Sequence, residues 1–455
     1  MAKINRTVLA IKEALAYGDI TPDKGKRTSK RTTAFLLRLF SIVDDVRIQK
    51  LIVYPLEYII LIAFLAVLGS ADTWQDIADF AEAKAAWLQK FIDVKKYGIP
   101  SHDTFRRVFG LIETTQLQDI IINILIENIS RIRNSLHIDA NESDYRLLCI
   151  DGKEENGTGR KYCASHDGKV RNTQTLHVYD ATNMVCLASE PIDKKTNEIP
   201  TAQKILRTMD LKYTVCTFDA LHMQKETLSI IRAQEGHYVG GLKGNQQGLM
   251  EEAVSCFTDE ICVKLEKSRK VKKPVYIKTQ EHTHGQEETR EYYIVAAPEN
   301  KDRAEKWKDL VSFILCKKTM MPDDPEKEKK IEFRYYASDL DDLNVISEAI
   351  RLHWSVEEFH WQLDYSFKED DNSTMDVTAY ENLSLLIKMS LHLIQLMKTR
   401  SKNVSVRRYR KRFAWNFEDT LEELLMFFDD EALIKVLSDK ETESSKKGDS
   451  ASISQ

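Results

Sequence analysis

Apolar and polar positions follow two different periods along this chain, and the change falls near residue 139. Between residues 34 and 138, apolar side chains recur every three to four residues, which predicts helices throughout. The break Tyr97-Gly-Ile-Pro100 is followed by Ser101, a residue type that favours the position before a helix. Beyond residue 139, short apolar runs bounded by turn residues predict β-strands. We therefore expect an all-α N-terminal domain and then a domain that contains strands.

The second region predicts an α/β domain over residues 139–398. Strand-like runs occupy 146–150, 174–181, 185–192, 213–218 and 237–243, and helical patterns separate the last three of them. This element order is that of a ribonuclease-H-like fold, in which the first and fourth strands are neighbours. Further strand-like runs predict a β-rich insertion at about 251–338.

Carboxylates mark the ends of those two neighbouring strands. Asp151 follows the first strand and Asp219 follows the fourth, so both are expected at one edge of the sheet. In this fold a third acid comes from a helix packed across the sheet, and the stretch 351–364, without Gly or Pro, is able to form it. Glu357 would share its face with His353, Trp354, His360, Trp361 and Asp364.

Spacing alone leaves the identity of the third acid open. Glu357, Glu358 and Asp364 are all candidates, and an amphipathic core helix with Glu357 paired to Arg351 explains the same pattern without any chemistry. Three converging carboxylates fit Mg²⁺, with Mn²⁺ as the alternative. Two such ions, about 4 Å apart, support in-line displacement at phosphorus. A zinc site built from His353, Glu357 and His360 is the rival, but the sequence lacks His-Glu-x-x-His.

Composition and charge exclude some classes of protein but do not indicate a particular function. The formal net charge of −5 excludes a uniformly basic surface, although residues 1–33 and 398–412 are locally basic. Seven scattered cysteines without a Cys-x-x-Cys pair indicate a reducing, intracellular compartment. The longest apolar run, Tyr58 to Leu68, is about half the length of a membrane span, so we expect a cytoplasmic protein without a membrane partner.

Several basic and polar residues are candidates for contacts with phosphate or DNA, with an ordinary surface role as the alternative for each; the basic segment 398–412 favours phosphate binding. They are Arg106, Arg107, Lys153, Lys194, Lys195, His222, Lys243, Asn245, Arg351, Arg407, Arg408 and Arg410.

Four groups of motifs resemble insertion-sequence transposases of the DDE class, in the family that includes the H-repeat-associated proteins. The resemblance covers about residues 35–400 and implies the catalytic triad Asp151, Asp219 and Glu357, which selects Glu357 over Glu358. Two positions depart from the family pattern, Gln286 after His284-Gly285 and Glu358 itself. The matching stretches are 68–77 with 97–109, 150–153, 195–200 with 217–222 and 241–246, and 353–357 with 360–364 and 367–370.

The resemblance implies a metal-dependent transposase with two Mg²⁺ ions per site. It would bind terminal inverted repeats, cleave the DNA ends and transfer strands to target DNA as a homo-oligomer on DNA, in the cytoplasm and on the nucleoid. A catalytically inactive DNA-binding relative and a plain nuclease are the alternatives. The expected domains are a basic segment at 1–33, helices at 34–138, the catalytic domain at 139–398, a basic segment and short helix at 399–437, and a disordered tail at 438–455.

Overall fold

The computed structural model divides into two compact units, each built from separated parts of the chain. Unit 1 contains residues 1–139, 155–172 and 360–455, and unit 2 contains residues 140–154 and 173–359. The structure describes residues 36–122, 145–155, 172–192, 198–268, 273–324, 328–400 and 404–425, apart from positions 39 and 284. The basic segment 1–33, Lys194, Lys195 and the tail 438–455 lie outside the described residues.

Unit 2 contains a nine-stranded mixed sheet, which confirms the expected α/β class. Its strand order is β3-β2-β1-β4-β5-β9-β8-β7-β6. The strands are β1 Arg146–Glu155, β2 Thr173–Asp180, β3 Val185–Pro191, β4 Thr214–Phe218, β5 His237–Leu242, β6 Tyr276–Thr283, β7 Gln286–Ala296, β8 Ser312–Pro322 and β9 Lys330–Ser338.

The first and fourth strands of this sheet are parallel neighbours. Arg146 pairs with Thr214, and the register continues to Ile150 opposite Phe218. All five residues of β4 are buried, as expected for a central strand covered on both faces. The apolar runs read from the sequence therefore form the middle of the sheet. The pairing of the two strands ends at Ile150 and Phe218, but β1 continues to Glu155, so Asp151 lies within the strand instead of following it as expected.

Helices of unit 2 cover the sheet and complete its core. The unit contains α6 Glu198–Leu206, α7 Lys225–Ala233, α8 Gln247–Ser255, α9 Asp259–Glu266 and α10 Lys301–Lys306. Leu206 and Ile231 share a buried cluster with Tyr238 of β5. Helices α8 and α9 are separate, because the Thr258 side chain accepts a hydrogen bond from the Ile261 amide and starts α9 as its N-cap.

One 25-residue helix, α11 Leu343–Phe367, contains the aromatic and acidic stretch that the sequence analysis singled out. Its residues up to Phe359 belong to unit 2, and those from His360 onward belong to unit 1. The absence of Gly and Pro from the stretch predicted this helix correctly.

In its described residues unit 1 is helical. The helices are α1 Leu56–Leu68, α2 Trp74–Ala83, α3 Ala85–Leu88, α4 Val94–Tyr97, α5 His102–Phe109, α12 Val377–Arg400, α13 Val406–Trp415 and α14 Phe417–Leu425. Helix α2 begins with a capping box, in which the Thr73 hydroxyl and the Asp76 carboxylate each bond the other's backbone amide. It ends at Ala83, and α3 follows as a separate short helix.

Hydrogen bonds from α12 and from the segment before it connect helices of unit 1. The Asn382 amide donates hydrogen bonds to the carbonyl oxygens of Phe109, at 2.8 Å, and Ile112, at 3.0 Å, which satisfies the open end of α5. The Trp74 indole donates to the Thr374 hydroxyl at 2.8 Å. None of the described helices is both long enough and apolar enough to span a membrane.

Candidate active site

The sheet register brings two of the expected acids side by side. Asp151 follows Ile150 and Asp219 follows Phe218, and these two preceding residues are paired across β1 and β4. Because neighbouring strands are about 4.8 Å apart, the two aspartates lie next to each other at one sheet edge. The local reason is simple: each aspartate is the first acid after a run of apolar residues that the sheet buries.

Asp219 is held by its own turn and faces a lysine. Its Oδ1 atom accepts a hydrogen bond of 2.8 Å from the Leu221 amide, a typical Asx turn. Its Oδ2 atom lies 3.9 Å from the Nζ atom of Lys243, which is 74% exposed. One carboxylate oxygen is therefore fixed by backbone, and the other points to a cation on the surface.

Asp151 lies in a region of concentrated negative charge. Burial raises its pKa to about 7, and the charges of Glu357, Asp219 and Glu198 add to this effect. Glu357 and Asp219 thus act on the same carboxyl group, although they stand 138 residues apart in sequence. The electrostatics favour the convergence of these acids within unit 2.

The environment also separates the candidates for the third acid. Partial desolvation raises the pKa of Glu357, while Arg334 and Lys243 act in the opposite direction. The charge of Glu358 acts instead on Tyr179, whose pKa is raised mainly by burial. Asp364 belongs to unit 1, where its charge contributes to the raised pKa of the buried Tyr380.

Arg351 does not pair with Glu357, although the alternative of an amphipathic core helix required that pair. Its guanidinium donates hydrogen bonds to both carboxylate oxygens of Glu281, at 2.9 and 3.3 Å. These bonds hold the pKa of Glu281 below its usual range. Glu357 has different cationic neighbours, Arg334 and Lys243, and the Arg334 guanidinium also lies 4.7 Å from the centre of the Trp354 ring.

The acidic side chains fit a divalent cation by their chemistry. Mg²⁺ is usually held by one or two carboxylates, while water and substrate phosphate complete its shell. Within the described part of the chain, no group of three or more His, Cys, Asp or Glu side chains is arranged to hold a metal ion. The adjacent Asp151 and Asp219 therefore form the best-placed pair, with Glu357 as a nearby charge.

Sequence reasoning missed one acid near Asp151. Glu198 is the first residue of α6, and its charge is one of the smaller contributions to the raised pKa of Asp151. His353, which the sequence analysis placed on the face of Glu357, is half-buried; desolvation lowers its pKa to about 4, so its imidazole is neutral at pH 7. Glu198 stands in the stretch 195–200 noted for the resemblance, but no spacing rule marks it as an acid of the site.

The other candidates in unit 2 have different environments. Lys153 and His222 are buried, whereas Lys243 is exposed. The Asn245 amide donates a hydrogen bond of 2.5 Å to the carbonyl oxygen of Ala220, which ties the segment after β5 to the turn that carries Asp219. Of these four, Lys243 is the cation most open to a substrate phosphate.

In unit 1, four of the candidate arginines are exposed and one is not. Arg106 donates to the Asp103 carboxylate at 3.2 Å, and its neighbour Arg107 is exposed beside it. Arg407 donates to the Tyr365 hydroxyl at 2.6 Å and lies over the Tyr365 ring. Arg408 is exposed on the same helix, α13.

Arg410 has an interior role in place of the DNA contact expected from sequence. Its guanidinium donates to the Asp72 carboxylate at 2.7 Å and to the carbonyl oxygen of Ser366, and it packs over the Phe367 ring. Only 7% of its side chain is exposed. A guanidinium that is buried and bonded on several sides holds the helices of unit 1 together.

Comparison with known proteins identifies the family. Residues 142–393 match the family model described as "Transposase DDE domain", and residues 37–124 match the one described as "DDE_Tnp_1-associated". The chain is 30% identical over 388 residues to "Putative transposase YncI" of Escherichia coli O157:H7, which covers 84% of this chain and 92% of that protein. It is 29% identical over 371 residues to "H repeat-associated putative transposase YhhI" of Escherichia coli (strain K12), covering 79% and 90%.

A shorter match, 38% identical over 73 residues, joins 16% of this chain to 86% of "Inactive transposase YbfQ" of Escherichia coli (strain K12). The long matches confirm the resemblance seen in the motifs. The chain belongs to the DDE transposase family.

Proposed function

We propose that this protein is an active transposase that binds the terminal inverted repeats of its element, cleaves the DNA ends and transfers the strands to target DNA. Asp151, Asp219 and Glu357 are its catalytic acids. The observation that supports the proposal is the pairing of Ile150 with Phe218, since each of these residues directly precedes one of the aspartates that the resemblance implies. The action of the Glu357 charge on Asp151 supports the third member.

The topology supports a ribonuclease-H-like catalytic domain at about residues 139–398. Along the chain, three strands are followed by a helix, a strand, a helix and a fifth strand, and in the sheet these strands have the order β3-β2-β1-β4-β5. Asp151 lies in β1 directly after the last residue paired with β4, and Asp219 directly follows β4. Strands β6 to β9 lie between β5 and α11 in sequence and extend the same sheet, in which β9 is the antiparallel neighbour of β5. We assign this segment, about 251–338, as the β-rich insertion.

We propose Mg²⁺, or Mn²⁺ in its place, as the cofactor, held by Asp151, Asp219 and Glu357. When bound, such ions supply positive charge for an attacking oxygen and for a leaving oxygen at phosphorus. The residues of the chain have separate tasks. Lys243 and Arg334 place cations beside Asp219 and Glu357, where they would orient a phosphodiester, and the neutral His353 would remain a hydrogen-bonding group.

DNA contacts outside the catalytic edge are proposed for exposed residues of unit 1. Arg106, Arg107 and Arg408 are available for backbone phosphates. Trp361 and Tyr365 form a stacked pair, with ring centres 4.7 Å apart and planes within 10°, and both rings are largely exposed. Aromatic faces flanked by arginine are typical surfaces for unpaired bases. Joining two DNA ends requires two active sites, so we also propose a homo-oligomer on DNA.

A catalytically inactive, DNA-binding protein is the second candidate, because one relative is named an inactive transposase. The decisive experiment measures cleavage of DNA carrying the flanking terminal repeats, with Mg²⁺ or Mn²⁺. Wild type is compared with Asp151→Asn, Asp219→Asn and Glu357→Gln, and DNA binding is measured in parallel. We expect cleavage by wild type and its loss, with binding retained, in all three variants. Binding without cleavage by wild type would favour the inactive protein.

A further inference from the structure

The outer side of α13 presents cations and no acid. The buried side chains of this helix fall on one side of it; they are Val406, Tyr409, Arg410 and Phe413. The opposite side carries three exposed cations and one exposed tryptophan, which at 100° per residue occupy an arc of about 100°. They are Arg407, Arg408, Lys411 and Trp415. We call this side the basic face of α13, and the helix contains no Asp or Glu that would neutralise it.

The last residue of α13 is a tryptophan whose ring contributes little to packing. Trp415 is 79% exposed, the largest exposed fraction among the large apolar side chains of the described residues. The Nζ atom of Lys411, one turn earlier, lies 6.0 Å from the centre of this ring. Glu418, the next acid along the chain, lies 3.6 Å from Lys90 and so has its own cation. The basic face therefore ends in an aromatic surface that is open to a ligand.

A second aromatic surface adjoins the start of the basic face. Arg407 donates a hydrogen bond of 2.6 Å to the Tyr365 hydroxyl, and its guanidinium lies 5.3 Å from the centre of the Tyr365 ring. Tyr365 in turn stacks on Trp361, and both rings belong to unit 1, as α13 does. From Arg407 to Trp415 the helix rises about 12 Å, the length of at most about four stacked nucleotides. Aromatic rings thus mark both ends of a short row of cations.

This arrangement suits an unpaired strand better than a duplex. Cations contact backbone phosphates in either form. The flat faces of the bases, by contrast, are open to an aromatic side chain only where the bases are unpaired, and such stacking tolerates any base. Exposed rings at both ends of the row would add nothing to the binding of a duplex. The chemistry of this surface therefore favours a single strand.

We propose that the basic face of α13 and the aromatic surfaces at its two ends form one binding track for single-stranded DNA. Trp415 stacks on one base, the Trp361–Tyr365 pair stacks on another, and the cations between them contact the phosphates. This inference rests on the proposed function, which supplies the DNA. It goes beyond that function because the track involves none of the catalytic acids and needs no metal ion.

The test measures binding of a fluorescently labelled oligothymidylate to the full-length protein in EDTA, by fluorescence anisotropy. Oligothymidylate forms no duplex with itself, and EDTA prevents metal-dependent cleavage. We expect Trp415→Ala to weaken binding about tenfold, through the loss of one stacked base. Trp415→Phe, which keeps an aromatic face, should restore most of the affinity. A mixed-sequence duplex of the same length should bind wild type and Trp415→Ala equally.

A matched pair of surface residues in unit 2 provides the control. Tyr213 is 65% exposed, and the Nζ atom of Lys212 lies 5.5 Å from its ring centre, much as Lys411 lies beside Trp415. Lys212, however, is paired with Glu235 at 3.1 Å. Tyr213→Ala and Lys212→Gln should therefore bind oligothymidylate as wild type does.

Salt dependence separates the cations of the track from its rings. Lys411→Gln should reduce the slope of log affinity against log salt concentration by about 0.7, the value for one phosphate contact on a single strand. Trp415→Ala should leave this slope unchanged, because stacking releases no counterion. Melting temperatures establish that each variant is folded.

The outcomes separate this inference from the function on which it rests. Wild-type affinity of Trp415→Ala for oligothymidylate would overturn the track, whatever the cleavage assay shows, and so would an absence of binding by wild type. Tighter binding of oligouridylate than of oligothymidylate would overturn the assignment to DNA. An altered oligomeric state of Trp415→Ala with unchanged DNA binding would make the ring a protein interface and also overturn the track. Binding through Trp415 by a wild type that never cleaves end DNA would support the track and contradict the proposed activity.

Discussion

Replacing Asp151 with asparagine should stabilise the metal-free protein while removing its activity. The pKa of Asp151 is raised from 3.8 to about 7 in the folded protein. Because the folded pKa lies above the unfolded one, the folded state binds the extra proton between these values. The contribution of the protonated Asp151 to the stability of the folded state is therefore complete below pH 4, and it is lost as the pH rises through 7.

The size of the effect follows from the same values. The difference between the folded and the unfolded pKa of Asp151 corresponds to about 4 kcal/mol at 1.4 kcal/mol per pH unit. Because the carboxyl group is partly open to solvent, we expect its charge to cost the folded state about 2–4 kcal/mol. For a cooperative unit of about 200 residues, such as unit 2, this is roughly 5–15 °C in melting temperature. Asp151→Asn avoids that cost at pH 8.

The assay is thermal unfolding in EDTA at pH 5 and pH 8. We expect Asp151→Asn to have a higher melting temperature than wild type at pH 8. The difference in melting temperature should be smaller at pH 5, where wild-type Asp151 is largely protonated. Glu358→Gln, whose charge is not among those acting on Asp151, should show no such gap. A lower melting temperature for Asp151→Asn at pH 8, or a gap that ignores pH, would refute the electrostatic reasoning.

Three other predictions follow from the described contacts. Glu357→Gln should abolish end cleavage and Glu358→Gln should retain it, measured on the same labelled DNA; the reverse result would move the third acid to Glu358. Arg410→Ala should lower the free energy of unfolding by about 1–3 kcal/mol, because it removes a buried guanidinium whose partners are the partly exposed Asp72 and the Ser366 carbonyl. The exposed Arg408→Ala should change it by less than about 0.5 kcal/mol; equal effects in urea titrations would contradict the interior assignment. Trp361→Ala should weaken binding of single-stranded DNA about tenfold, from a stacking contribution of about 1–3 kcal/mol per base, and unchanged fluorescence anisotropy titrations would remove this contact.

The sequence predicted those parts of the fold that depend on local patterns. The apolar runs ending at Ile150 and Phe218 form the expected strands, and the stretch without Gly and Pro around Glu357 forms one helix. Interruptions were harder to predict. Thr258 starts α9 shortly after α8 ends, and the single capping hydrogen bond that separates the two helices has no counterpart in the apolar periodicity.

The parts of the candidate site that were missed depend on contacts distant in sequence. Arg351 is close to Glu357 along the helix, yet its partner is Glu281 in β6. Arg410 lies in a basic segment typical of phosphate binding, yet Asp72 holds it in the interior of unit 1. Charge and spacing describe what a side chain is able to bind, and only the packing decides which partner is near.

The acids around Asp151 are best explained as a functional site whose clustered charges lower the stability of the folded protein. Packing carboxylates at one sheet edge raises the pKa of Asp151 and makes its charged form unfavourable in the metal-free protein. Perturbed carboxyl groups of this kind cluster at functional sites, because a bound cation or substrate recovers the energy that folding lost.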